Sequence, residues 1–137
     1  MKILVAVDPS ASTHVAVVKA ADMAKKDKAQ LTLLAIAETF QDMESLFGEA
    51  ASERLKERAS SVLDAAKAIA VAAGVAPKLV LKTGVSPEDI IADVAEKGGF
   101  DLVVMGTRSK KGKTGLRLGS VASKVVALAP CSVLVVR

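Results

Sequence analysis

The chain has 137 residues, a length that suits one compact domain with one core. Apolar residues make up 51% and charged residues 25%, which excludes a disordered chain; aromatics are 2%, with no Trp or Tyr, so the core must be built from Ala, Val, Leu and Ile. The net charge is +4, but Arg108, Lys110, Lys111, Lys113 and Arg117 crowd into one acid-free loop, leaving the rest near neutral; this favours a local anionic ligand over a general coat for nucleic acid or membrane.

In chain order, Ile3–Val7 is an apolar run that stops at Asp8-Pro9. It reads as a buried strand and is too short for a signal peptide core or a bilayer span. No other apolar run approaches the ~20 residues of a span, so the sequence predicts a soluble, cytoplasmic protein. Val17, Ala20, Ala21 and Ala24 follow at helical spacing, with His14 near the start of that helix as a surface residue. Leu31–Ala37 is the second strand. Glu38–Glu49 is the least regular stretch, and a mobile connection is expected there. Leu55, Ala59, Val62, Leu63, Ala66, Ile69 and Ala73 mark a long second helix, ended by Gly74 and Pro77. Leu79–Leu81 is the third strand. Ser86, Pro87, Glu88 and Asp89 open a third helix as N-cap, first helical residue and two acids at the positive end of the dipole. That helix carries Ile90, Ile91, Val94 and Ala95 and ends at Gly98-Gly99. Leu102–Met105 is the fourth strand. Val121, Val125, Val126 and Leu128 mark the last helix, closed by Pro130, and Val133–Val136 is the fifth strand. The single Cys131 can form no internal disulfide and reads as a small buried side chain.

Strands alternating with helices imply an α/β fold: an open parallel sheet with helices on both faces. The pattern predicts one domain over residues 1–137. Ligands of such sheets sit beyond the carboxyl ends of the strands, where strand order reverses. Asp8 after the first strand and the loop after the fourth are the two candidate positions.

That loop, residues 106–120, holds four of the nine glycines, Gly106, Gly112, Gly115 and Gly119. Glycine lets backbone N–H groups turn inward on an anion. Gly119-Ser120 then opens a helix whose first N–H groups and dipole favour phosphate. Ser120 either donates its hydroxyl to phosphate or caps the helix. Gly106…Gly112-Lys113-Thr114 has five residues between its glycines where a P-loop has four, and Gly115 follows the Lys-Thr pair where a P-loop runs directly into its helix. The only aromatics, Phe40, Phe47 and Phe100, lie outside the loop, which argues against single-strand stacking.

Val5-Ala6-Val7-Asp8-Pro9-Ser10, Gly84-Val85-Ser86-Pro87, Val104-Met105-Gly106-Thr107-Arg108, Gly119-Ser120-Val121 and Ala129-Pro130-Cys131-Ser132-Val133-Leu134-Val135-Val136 together resemble the universal stress protein family from end to end. The resemblance implies an adenine nucleotide alpha hydrolase-like, Rossmann-like sheet of order 3-2-1-4-5. The ATP-binding signature of that family is Gly, two residues, Gly, nine residues, then Gly and Ser or Thr. It falls on Gly106, on Ser109 in place of the second Gly, and on Gly119-Ser120. By resemblance Asp8 meets the ribose, and a divalent magnesium or manganese ion near the phosphates. Backbone at Ile36 meets the adenine edge, Val7 and Met105 are apolar walls, and Arg108, Ser109, Gly119, Ser120 and Val121 surround the phosphates of ATP. It also implies a homodimer through Val133–Val136, with unnamed protein partners. Asp8 alternatively forms an Asx-turn before the first helix. No general base over a water is identified, so at most slow ATP hydrolysis is implied. Ser109 leaves a second reading open: a family member without ATP that serves as a dimeric interaction module. No His-x-Gly-His or Ser-Gly-Gly-x-Asp-Ser is present to support adenylyl transfer.

Overall fold

In the computed structural model, which describes residues 1–107 and 118–137, the first strand β1 (Lys2–Val7) is buried on both faces. Its alternate residues supply two cores. Ile3, Val5 and Val7 join one cluster with Leu31, Leu33, Ala35 and Val104, and Leu4 joins the other with Leu34, Val103 and Met105. A strand with no solvent face has no reason to alternate polar and apolar residues, which explains the unbroken apolar run.

The remaining elements are α1 (Ala11–Asp27), β2 (Gln30–Glu38), α2 (Met43–Phe47), α3 (Glu49–Ala72), β3 (Lys78–Gly84), α4 (Pro87–Lys97), β4 (Leu102–Gly106), α5 (Ser120–Leu128) and β5 (Ser132–Val136). The five strands form one parallel sheet of order β3-β2-β1-β4-β5. This is the order that the family resemblance implied.

Helices α1 and α3 cover one face. Ala16, Val17, Ala20, Ala21 and Ala24 of α1 and Ala59, Leu63, Ala66 and Ala70 of α3 are buried there. Helices α4 and α5 cover the other, through Ile91, Ala95, Ala122 and Val125. Alanine on these stripes lets the helices sit close to the sheet without aromatic filling. The buried apolar residues described are Ala, Val, Leu and Ile with Met43 and Met105. Helix α3 ends where Gly74 takes φ of 91°, and the N–H of Val75 bonds back to the carbonyl of Ala70 at 3.0 Å. Ser86 is the N-cap of α4 with Pro87 in the first turn, although the Ser86 side chain makes no capping bond to the backbone. Glu88 lies 3.5 Å from Lys124 and ties α4 to α5.

Three sequence expectations need adjustment. The stretch Glu38–Glu49 contains the one-turn helix α2, with Met43 buried against the fold. Strand β3 is longer than Leu79–Leu81 and is an edge, with Leu79 and Leu81 each 38% exposed. An edge strand is bare on one side, so Lys78, Lys82 and Thr83 fit within it. Cys131 is half-buried rather than buried, and desolvation, with the nearby charge of Asp101, pushes its thiol pKa up. His14 is exposed, as expected. Among the described residues, no helix is long and apolar enough to cross a membrane.

Candidate functional site

The chain lays β1, β2 and β3 outward in one direction and then returns to place β4 and β5 on the other side of β1. The reversal therefore falls between β1 and β4. Helices on opposite faces leave a gap above that seam, at the carboxyl ends of the strands.

A cleft of about 80 Å³ occupies this gap. Val7 ends β1 and Asp8 follows it, Ile36 lies near the end of β2, and Met105 and Gly106 end β4; all line the cleft, with Gly119, the N-cap of α5, and Val121 in its first turn. Ser120 is exposed beside them as the first residue of α5, and it does not line the cleft. The N-cap is Gly119, in extended conformation, so Ser120 is not the helix cap. Arg108 and Ser109 lie outside the described residues, with the rest of the basic segment through Arg117.

Asp8 is held by α1's first turn. Its Oδ1 accepts the Ser10 N–H at 2.8 Å, the Thr13 hydroxyl at 2.9 Å and the Ser10 hydroxyl. The Asp8 N–H in turn donates to Thr13 Oγ1 at 2.9 Å. The Ser10 N–H contact is the Asx-turn that the sequence allowed. Ser10, the N-cap of α1, makes no side-chain capping bond, and its hydroxyl is turned to Asp8. Because Ser10 donates to Asp8, Ser12 supplies the proton in the 2.9 Å contact between the two serine hydroxyls. Thr13 is 8% exposed, so its hydroxyl works away from bulk water. Replacing Thr13 with Val keeps the shape and removes both bonds to Asp8. Urea unfolding should show a loss of about 1–3 kcal/mol; an unchanged midpoint would mean that these bonds contribute nothing net.

Gly106 packs against Ser12. A Cβ at position 106 would lie 2.4 Å from Ser12 Oγ and 2.8 Å from the Ser12 carbonyl carbon. The tips of β1, α1 and β4 thus meet with no room for a side chain. Opposite them, α5 begins with no acidic residue in its first turn and no side-chain capping bond, whereas α4 carries Glu88 and Asp89 in its first turn. The positive end of α5's dipole favours an anion.

The structure also brings in residues that the sequence reading did not select: Thr13, Glu38, Pro87 and Ile91, with Ala6, Leu34 and Ala122. Glu38 had a readable signal, since it follows Ile36 by two on the same strand and so shares its face. Pro87 and Ile91 depend on how α4 docks, which no local pattern reports. Among the described residues, no group of three or more His, Cys, Asp or Glu is placed to hold a metal.

The comparisons with known proteins agree with this architecture. The family model described as the universal stress protein family matches residues 1–137. Universal stress protein YxiE of Bacillus subtilis is 32% identical over 146 residues, covering 99% of this chain and 98% of that protein. Among solved structures, universal stress protein UspA from Lactobacillus plantarum superposes with a TM-score of 0.84 at 25% identity, covering 100% of this chain and 97% of the other. The universal stress protein from Archaeoglobus fulgidus in complex with dAMP gives 0.74 at 23% identity, covering 100% and 98%. The chain belongs to the universal stress protein family.

Proposed function

We propose that this universal stress protein family member binds an adenine nucleotide, ATP with magnesium or manganese, and acts as a regulatory homodimer in a cytoplasmic stress response. The observation that carries the reading is the meeting of three features in one cleft: apolar walls, the oriented carboxylate of Asp8, and the start of α5, whose first turn holds no acid. Val7, Met105 and the backbone at Ile36 would enclose the base, and Asp8 would face the ribose. Gly106, Gly119, Ser120 and Val121 would receive the phosphates. Arg108 and Ser109, by their place in the sequence, would add a charge and a hydroxyl. With no three-residue metal cluster among the described residues, the cation would arrive on the phosphates, with Asp8 as its nearest protein carboxylate. That another protein of this fold is found with dAMP is consistent with the reading.

Calorimetric titration with ATP and magnesium tests it. Saturable heat at or below millimolar ATP is expected, with no need for turnover. Absence of heat at that concentration would leave the second reading, a nucleotide-free interaction module. Ser109, standing where the family's signature has glycine, is the specific feature that favours that alternative.

The homodimer rests on β5. It is the second edge of the sheet, and Val133–Val136 are half-buried with no charge among them. Strand β3, the opposite edge, carries Lys78 and Lys82. Charges of that kind discourage strand addition, and their lack invites it. Light scattering at micromolar concentration should give twice the chain mass; a monomer mass would remove the dimer.

A further inference from the structure

We propose that the α2 segment is a docking surface for a partner protein, one that offers apolar side chains beside Lys or Arg. The surface shares no lining residue with the cleft, so the proposal stands apart from the nucleotide reading.

Aromatic side chains are scarce in this chain, which has three Phe and no Trp or Tyr. Phe100 packs against the core under α4 and α5. The other two lie at α2: Phe40 shortly before it and Phe47 as its last residue. They are 47% and 66% exposed, and Leu46 beside them is 68% exposed. The two rings meet edge to face, with centroids 5.7 Å apart and planes at 81°. A protein that fills its core with Ala, Val and Leu thus leaves two of its three rings outside. Clustered exposed aromatic and aliphatic side chains mark interaction sites, and Phe is enriched at the centre of interfaces.

The backbone holds this patch in place. Met43 of α2 is 5% exposed and anchors the helix to the fold. The Met43 N–H donates to the Phe40 carbonyl at 3.1 Å, the Leu46 N–H to Asp42 at 2.9 Å and the Gly48 N–H to Glu44 at 2.8 Å. A surface already ordered loses little freedom on binding.

The surrounding charge says what covers it. Residues 39–53 hold Asp42, Glu44, Glu49 and Glu53, all exposed, and no Lys or Arg, in a chain of net charge +4. Phe40, Asp42 and Glu44 line one open groove of about 450 Å³, together with Thr83 of β3 and Lys56 of α3. Lys56 lies 3.3 Å from Glu53, so its charge is already opposed. An acidic rim repels the phosphates of nucleic acid and of anionic lipid. A cationic amphipathic segment satisfies both parts of the surface. Its apolar face meets Phe40, Leu46 and Phe47, and its Lys or Arg side chains meet Asp42 and Glu44.

Fluorescence anisotropy tests this with a labelled peptide carrying leucines at helical spacing on one face and lysines on the other. The control is the same peptide with glutamate for every lysine. Wild type should bind the cationic peptide, and bind the acidic one at least about tenfold more weakly. The double variant Leu46→Ala, Phe47→Ala should lose about tenfold in affinity for the cationic peptide. The double variant Asp42→Asn, Glu44→Gln should bind severalfold more weakly and with a flatter salt dependence; Asn tolerates the positive φ of Asp42. Melting temperatures should stay close to wild type, since every substituted side chain is exposed. No binding of the cationic peptide, equal binding of the two peptides, or equal binding to wild type and to Leu46→Ala, Phe47→Ala would each overturn the proposal. A wild-type mass in light scattering that falls in that variant would overturn it by assigning the face to a second copy. Cosedimentation with phosphatidylserine vesicles that the variant loses would overturn it by assigning the face to lipid.

Discussion

Gly106→Ala should lower the melting temperature by about 4–12 °C and weaken adenine-nucleotide binding more than any other single-methyl change at the cleft. The reason is close approach, not backbone conformation, because Gly106 is not among the glycines with positive φ. The added Cβ would meet Ser12 Oγ at 2.4 Å, Ser12 Cβ at 2.6 Å and the Ser12 carbonyl carbon at 2.8 Å. A hydroxyl can rotate away, but the carbonyl carbon belongs to the first turn of α1. Relief therefore requires α1 to move from β4, or β4 to shift within a ladder paired on both sides. Overpacking of this kind costs about 1–3 kcal/mol.

The same displacement reaches the site. Ser12 bonds to Ser10, and Ser10 bonds to Asp8, so pushing Ser12 shifts the group that orients the carboxylate. Ser12→Ala should not rescue the variant, since it removes the hydroxyl and leaves the contacts with the Cβ and the main chain. A double variant that melts like wild type would show that only the hydroxyl was in the way. Differential scanning calorimetry of the single and double variants decides between these.

How much of this was legible beforehand depended on whether the relevant force is local. The central strands were readable because burial on both faces writes a continuous apolar run, as in Ile3–Val7 and Leu31–Ala37. The apolar pattern marks only the middle of β3, because an edge strand takes Lys82 and Thr83 with little penalty. α2 leaves no mark in the sequence because five residues are too few to show a helical period, and its start, with Asp42 at φ of 65°, lacks an ordinary cap conformation. Asp8 and Gly106 could be picked out because strand ends at a reversal of order are where ligands collect. The hydroxyls that hold Asp8 could not, since Ser10, Ser12 and Thr13 look like any helix start until α1 is packed on β4. Thr13 returns to Asp8 across five positions, a contact made by the turn and not by a motif.

The second large effect separates stability from binding by using two adjacent residues. Leu33 and Leu34 are both fully buried on β2, but they point to opposite faces: Leu33 into the core under α1 and α3, Leu34 into the core under α4 and α5. Truncating either to Ala should cost about 2–5 kcal/mol, as removed apolar contact plus the void left behind. Only Leu34 also lines the cleft, with Ile36 beyond it on the same strand face. In Leu34→Ala the void opens into the floor of the cleft, so a bound base loses an apolar wall. Its affinity should fall by about tenfold. In Leu33→Ala the void lies behind the sheet, and affinity should stay at the wild-type value when measured at a temperature where both variants are folded. Equal losses of affinity in the two variants would mean that the cleft responds to sheet stability in general and that its apolar floor contributes nothing specific. Loss in Leu34→Ala alone would assign the base to the α4–α5 side of the sheet, beside Met105 and Ile91.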